Sequence, residues 1–223
     1  MATPYALIEL EGIQSTQDEA VDRFGPGPVL VVAARQSAGR GRLGRRWETA
    51  PRAVAASLAV RPPGWQVEEF SRLSLVAALA GRRVLGEGFA CKWPNDLMQD
   101  NAKVAGLLLE AVDDLVVIGL GVNLWWPDAP AGYGALYQDD PGPEVRVDLA
   151  VRWCDDFLAR VSRGPEDWGR AEYRRYCRTI NRTIRWQPDG SGIARDIDEQ
   201  GQLVVETESG SIALASGEVS EVR

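Results

Sequence analysis

At 223 residues, 45% of them hydrophobic and 26% charged, the chain can bury a full core as one large domain, alone or with a small appendage. A net charge of −7 argues against a general nucleic-acid binder, and the lack of any histidine removes Ser-His-Asp and Cys-His nucleophile pairs and the common His-based metal sites. What remains must lean on positive charge, backbone donors and positioning, which suits phosphate or anhydride chemistry and predicts no metal site.

Cys91, Cys154 and Cys177 are odd in number and too scattered for a disulfide framework, a pattern that fits a reducing compartment. The N-terminal residues carry neither a basic start nor a long apolar stretch, so no signal peptide or membrane span is expected and the cytoplasm is the default location.

Tyr5–Leu10 alternates and reads as a strand. Thr16 and Glu19 have capping-box spacing, which predicts a helix near 16–24. Gly25-Pro26-Gly27-Pro28 breaks the chain before a buried strand over Val29–Ala34. Ala53–Val60 reads as another strand, and 66–86 as an amphipathic helix. Strands follow near 89–93, 103–111 and 114–122, the first two joined by a turn at Asp100-Asn101. The Pro-, Gly- and Asp-rich stretch 127–144 predicts a long surface loop, and helices are expected near 147–162 and 165–177. From about 180 the texture shifts to short alternating segments, with turns at Pro188-Asp189-Gly190, Glu199-Gln200-Gly201 and Ser209-Gly210. That texture predicts a small all-β barrel of about 45 residues. The expected class is therefore α+β: a mixed-sheet domain packed with helices over 1–178, then a small SH3-like β-barrel domain over 179–223.

Three segments stand apart. Of the 25 Lys and Arg residues only Lys92 and Lys103 are lysine, and they flank the run Trp93-Pro94-Asn95-Asp96. A coding bias toward arginine accounts for the scarcity but not for the clustering, and a compact ammonium does what a planar guanidinium cannot. The second segment, Gly39-Arg40-Gly41-Arg42-Leu43-Gly44-Arg45-Arg46-Trp47, packs three glycines and four arginines into nine residues. Such a loop suits an anionic ligand, repels itself when empty, and has Trp47 to cover an apolar ligand body; an arginine-rich surface hairpin is the plain alternative. It is neither a Walker A loop nor a dinucleotide fingerprint. The third segment, Gly119-Leu120-Gly121-Val122-Asn123, reads as a strand end and turn, although its amide has the donor–acceptor pair that matches adenine.

Together these residues resemble the biotin–protein ligases, also called biotin–[acetyl-CoA-carboxylase] ligases, from about Ser15 to Val222. The resemblance rests on the Gly39–Trp47 loop, Lys92–Asp96, Lys103-Val104-Ala105-Gly106-Leu107-Leu108-Leu109-Glu110 and Gly119–Asn123, with tail matches at Gly192–Asp198 and Gly217-Glu218-Val219-Ser220. One departure is Ser15-Thr16-Gln17, where the family usually reads Ser-Thr-Asn.

The resemblance implies two steps: biotin and Mg-ATP give biotinyl-5′-AMP, and the acyl group then passes to one lysine of a biotin carboxyl carrier domain. It implies that Lys103, Arg40 and Arg42 carry the chemistry. Ser15, Thr16, Gln36, Gly39, Arg40, Trp47, Lys103 and Gly106 would face biotin, and Arg42, Lys92, Asn95, Asp96 and Asn123 would face ATP. With about a dozen residues before Ser15 there is no room for the winged helix that many members carry, so a monofunctional form without DNA or membrane partners, monomer or homodimer, is expected. A lipoate–protein ligase and a non-catalytic relative are the alternatives. The full Gly-Arg loop with Lys92–Asp96 favours biotin, and the intact Arg40, Arg42, Lys92 and Lys103 favour an enzyme.

Overall fold

The computed structural model describes residues 4–215, 217 and 219–222; Met1–Thr3, and Glu218 within the tail match, lie outside the described residues. Seven strands form a mixed sheet: β1 (Ala6–Leu10), β2 (Val29–Ala33), β3 (Arg52–Val60), β4 (Phe89–Lys92), β5 (Asp96–Gln99), β6 (Ala102–Val112) and β7 (Leu115–Trp125). Their order is β1-β2-β3-β7-β6-β5-β4, with β1 and β2 parallel and every other pair antiparallel.

Alternation along the central strands sorts the two faces. Leu30, Val32, Leu58, Val60, Val116, Ile118 and Leu120 join the main core with helices α2 (Phe70–Leu85) and α3 (Val145–Val161). Val29, Val31, Ala59 and Val117 point the other way, toward Ala20 of the short helix α1 (Thr16–Asp22). That second face is only partly covered. Beyond α1 it carries Ser57, Gly119 and Gly121 where the core face carries Leu58, Leu120 and Val122.

The α+β expectation holds, with local corrections. The N-cap of α1 is Ser15, whose side chain accepts from the Asp18 amide at 3.5 Å, so Thr16 is not the cap its spacing suggested. The helix predicted over 66–86 begins as a 3-10 turn, Val67–Glu69, closed by a reciprocal Gln66–Glu69 box, and stops at Gly86, whose φ of 116° no side chain favours. The strands near 89–93 and 103–111 are not joined directly. β5 intervenes, so the Asp100-Asn101 turn links β5 to β6, while Trp93-Pro94-Asn95, with a cis Trp93–Pro94 peptide, links β4 to β5. Gly169, at φ 92°, separates a 3-10 turn (Pro165–Asp167) from helix α4 (Arg170–Tyr176) where one helix was expected.

The tail forms a second sheet: β8 (Thr183–Trp186), β9 (Gly190–Ile197), β10 (Leu203–Thr207), β11 (Gly210–Leu214) and β12 (Val219–Glu221), all antiparallel in the order β11-β10-β9-β8-β12. The expected barrel is instead an open sheet, because the short β12 pairs with β8, leaving β11 and β12 as opposite edges among the described residues. Ile184, Ala194, Ile197, Leu203, Val205 and Val219 belong to the same buried cluster as the large sheet and its helices. No described helix is long and apolar enough to cross a membrane.

Candidate functional site

The uncovered face of the large sheet opens a cavity of about 240 Å³. Its floor is written in the strands. Where β7 alternates, Gly119 and Gly121 stand in place of side chains, and Gly106 of β6 pairs directly with Gly121. The Gly-Leu-Gly run is thus mid-strand and lines the cavity, rather than marking the strand end that its sequence suggested.

The arginine loop folds over this floor as a small hairpin. Gly41 donates to the Arg45 carbonyl at 2.7 Å and Trp47 to the Gly39 carbonyl at 2.9 Å, with Leu43 at the tip, 73% exposed. Trp47 lies across the glycine pair: a Cβ on Gly121 would come within 2.5 Å of the indole and one on Gly106 within 2.9 Å. The close approach over Gly106 is therefore made by Trp47 and Lys103.

One of the loop's four charges, Arg40, is compensated by carboxylates from outside the loop. Arg40 makes a bidentate pair with Asp18 of α1, both bonds 2.8 Å, and reaches Glu110 of β6 at 3.0 Å. Hydrogen bonding from Arg40 lowers the Asp18 carboxyl below its ordinary value, and the same bonds raise the guanidinium above its own. Arg42 donates to Asn95 Oδ1 and to the Gly217 carbonyl, each at 3.2 Å, so the loop touches both the β4–β5 connection and the tail.

Lys103 is the second residue of β6, beside that connection. Its Nζ lies 2.6 Å from Asp96 Oδ1, close but outside hydrogen-bond alignment, and 5.3 Å from the Trp47 ring centre. Its backbone is fixed by Gly132 and Gly134, which brings Tyr133 of the 127–144 loop to the cavity rim. Asn95 is held by a reciprocal pair with Leu107, its side chain donating to that carbonyl at 2.8 Å. Lys92 lines the cavity half-buried, with no ion pair among the described residues.

At the inner end Thr16 and Gln36 meet. Gln36 Oε1 accepts from the Thr16 amide at 2.8 Å and from its hydroxyl at 3.0 Å, and Ser57 Oγ lies 2.8 Å from Thr16 Oγ1. Of the residues singled out from the sequence, Thr16, Gln36, Arg40, Arg42, Trp47, Lys92, Asn95, Asp96, Lys103 and Gly106 line this one cavity. Ser15, Gly39 and Asn123 do not. Ser15 is spent as a helix cap, Gly39 lies under the side chains of Gln36 and Trp47, and Asn123 is buried with its amide donated to the Gly134 carbonyl at 2.9 Å. Sequence reasoning missed Gln17, Ser57 and Tyr133 as members of the lining, and Glu110 as a partner of Arg40 behind it. Ser57 left a signal, a lone hydroxyl inside an otherwise apolar buried strand.

Clustered cations over a side-chain-free floor define a site for a small anionic ligand closed by a loop. Comparison with known proteins gives this class its family. The chain belongs to the biotin/lipoate A/B protein ligase family, whose sequence profile matches residues 12–123, while the profile of the biotin protein ligase C-terminal domain matches 183–220. It is 41% identical over 234 residues to the biotin--[acetyl-CoA-carboxylase] ligase of Paracoccus denitrificans, covering 92% of this chain and 96% of that one. To the enzyme of the same name from Mycobacterium tuberculosis it is 32% identical over 211 residues, covering 87% and 79%. Its fold superposes on the biotin protein ligase from Aquifex aeolicus in complex with biotin and ATP with a TM-score of 0.83, at 24% identity over 98% of this chain and 99% of that one.

Proposed function

We propose that the protein is an ATP-dependent biotin–protein ligase. Biotin's carboxylate oxygen attacks the α-phosphorus of ATP, pyrophosphate leaves, and biotinyl-5′-AMP stays in the cavity. The ε-amine of a carrier-domain lysine then attacks the acyl carbon, AMP leaves with the bonding electrons, and the amine gives up a proton to solvent. The carboxyl carrier domain of a biotin-dependent carboxylase is the acceptor, as the names of both curated relatives suggest.

The observation that carries this reading is the convergence of Arg40, Arg42, Lys92 and Lys103, from three distant segments, over one glycine floor. Substrates supply both nucleophiles, so the protein needs no histidine. Its task is to align the reactants and to stabilise charge that builds on phosphate oxygens. Lys103, next to the floor, serves the carboxylate and the α-phosphate. Arg42, Lys92, Asn95 and Asp96 serve the nucleotide, and Thr16, Gln36 and Trp47 serve biotin.

Among the described residues no three His, Cys, Asp or Glu side chains converge as a metal site. Mg2+ would come as part of the Mg-ATP substrate, where Asp96 and Glu48 are the lining carboxylates that would face it and its charge would offset that of the phosphates. Residues 1–178 form the catalytic unit in this reading, and 179–223 a small unit docked against it. The test is mass spectrometry of a carrier domain incubated with the protein, biotin and Mg-ATP. One biotinyl adduct on one lysine is expected, and an unmodified carrier, or a lipoyl adduct formed as readily from lipoate, overturns the proposal.

A further inference from the structure

Trp93 lies within the β4–β5 connection, yet both of its N–H groups are committed outside it. The β4–β5 ladder closes at Lys92 and Asp96, so Trp93, Pro94 and Asn95 stand beyond the last paired residues. Asn95 is anchored sideways, to Leu107. Trp93 is anchored from behind, by the tail. Its amide donates to Thr179 Oγ1 at 3.0 Å and its indole to the Gly201 carbonyl at 3.0 Å, across 86 and 108 residues of chain. Trp93 and Thr179 are both buried, so water is no substitute partner for either bond.

Thr179 reaches Trp93 because a short parallel ribbon runs alongside the connection. Cys91 bridges Cys177, and the Arg178 amide donates to the Cys91 carbonyl at 2.9 Å. In a parallel pair the next bond would run from the Trp93 amide to a backbone carbonyl. The Thr179 hydroxyl takes that bond instead. The second anchor is stiff as well. The turn at Gly201 presses on α2, where a Cβ would come within 2.8 Å of Leu75, and the nearby Glu199 carbonyl accepts from the Trp168 indole at 3.0 Å. Lys92, Asn95 and Asp96, on either side of Trp93, line the cavity.

We propose that Thr179 is a positioning residue for the nucleotide half of the site: through the Trp93 amide it fixes the backbone from which Lys92, Asn95 and Asp96 reach the cavity. This rests on the proposed function, which gives those three residues to ATP. A connection released from its anchor samples several backbone states, and each misplaces three nucleotide contacts together. Valine at 179 keeps the shape of threonine but removes the acceptor. The Trp93 amide is then buried and unpaired, and the connection must shift to satisfy it. The end of the cavity where Thr16 meets Gln36 is built on other elements and does not feel that shift.

Steady-state pyrophosphate release from biotin and Mg-ATP tests this in wild type, Thr179→Val, Thr179→Ser and Trp168→Phe. Thr179→Val should raise the KM for ATP about tenfold, the scale of one buried hydrogen bond, and leave the KM for biotin within about twofold. Thr179→Ser keeps the hydroxyl and should hold the KM for ATP within about twofold of wild type. Trp168→Phe deletes a bond of the same seam that does not touch the connection, so it should lower the melting temperature without raising the KM for ATP. An unchanged KM for ATP in Thr179→Val, an equal rise for biotin, or an equal rise in Trp168→Phe would each overturn the assignment and leave Thr179 a support of the fold alone. If the valine variant does not fold, Thr179→Ala carries the same expectation and the same refutations. A wild-type protein that activates lipoate and not biotin would overturn the proposed function yet leave this assignment standing, since it concerns the nucleotide. Release with neither acid would overturn both.

Discussion

Lys103 meets Asp96 at 2.6 Å while facing the cavity, so a ligand carboxylate or phosphate would compete with Asp96 for one ammonium. The pair is partly solvated and contributes little to folding. Lys103→Gln should therefore leave the melting temperature nearly unchanged while cutting pyrophosphate release by about two to three orders of magnitude, the scale for one preorganised donor. Lys103→Arg should also fail, because a planar fork cannot replace a point donor between Asp96 and the Trp47 face. Wild-type pyrophosphate release from either variant would place the chemistry elsewhere. Arg42 differs in kind: besides lining the cavity it donates to Asn95 and to the Gly217 carbonyl, so it also ties the loop to the rim. Arg42→Gly removes a charge-assisted contact of roughly 1.5–3 kcal/mol and frees the loop, so biotinyl-AMP should escape about ten- to a hundredfold faster. Biotin label appearing on an added bystander protein measures that escape; a bystander left unlabelled would remove Arg42 from the closure.

At the level of the element, the 39–47 hairpin is held by a charge latch to α1 and β6. Because Arg40 depresses the Asp18 carboxyl, the latch is fully present above that carboxyl's ordinary value of 3.8 and is lost as pH falls through its lower folded value. An NMR titration of the Asp18 carboxyl carbon should give a midpoint below the ordinary carboxyl value in wild type and a higher midpoint in Arg40→Ala. Identical midpoints would refute the latch. In the same way Asp18→Asn should make Arg42, Arg45 and Arg46 cleave faster in trypsin, with biotin plus Mg-ATP slowing cleavage in both proteins. This element also shows what the sequence made legible. Three glycines, four arginines and a tryptophan announced a ligand loop, but Asp18 and Glu110 lie far from it in the chain and carry no local mark of pairing with it. Likewise Gly119 and Gly121 look like a turn in one dimension; only pairing with Gly106 and Ser57 turns them into a floor. β5 escaped notice because four residues between a Pro and a turn leave too little alternation to read.

Across the whole molecule the tail is not a free appendage. The Trp93 indole donates to the Gly201 carbonyl at 3.0 Å, Thr179 accepts from the Trp93 amide at 3.0 Å, and Arg178 joins the Asp100 carbonyl, Asn101 and Glu221. The change of texture near 180 was visible in sequence, whereas these seams, made by single bonds across long separations, were not. Burial along the seam and the α3 core pushes the thiols of Cys91, Cys154 and Cys177 up, so all are poor nucleophiles in the native state. Because one core spans both sheets, calorimetry should give a single unfolding transition, and the three thiols should become reactive to an aromatic disulfide only within it. A thiol that reacts at full rate in the folded protein, or two separated transitions, would contradict this.

The rarity of lysine has a further bearing, on the catalyst's own exposure to its product. A protein that makes an acyl phosphate anhydride brings a potent acylating agent to its own skin at every cycle. Here that skin is furnished with guanidinium groups, which stay protonated and do not attack acyl carbon. Both lysines of the chain lie within the cavity lining, one of them drawn toward a carboxylate. Outside the cavity no lysine amine is then left on the protein to take up anhydride that escapes.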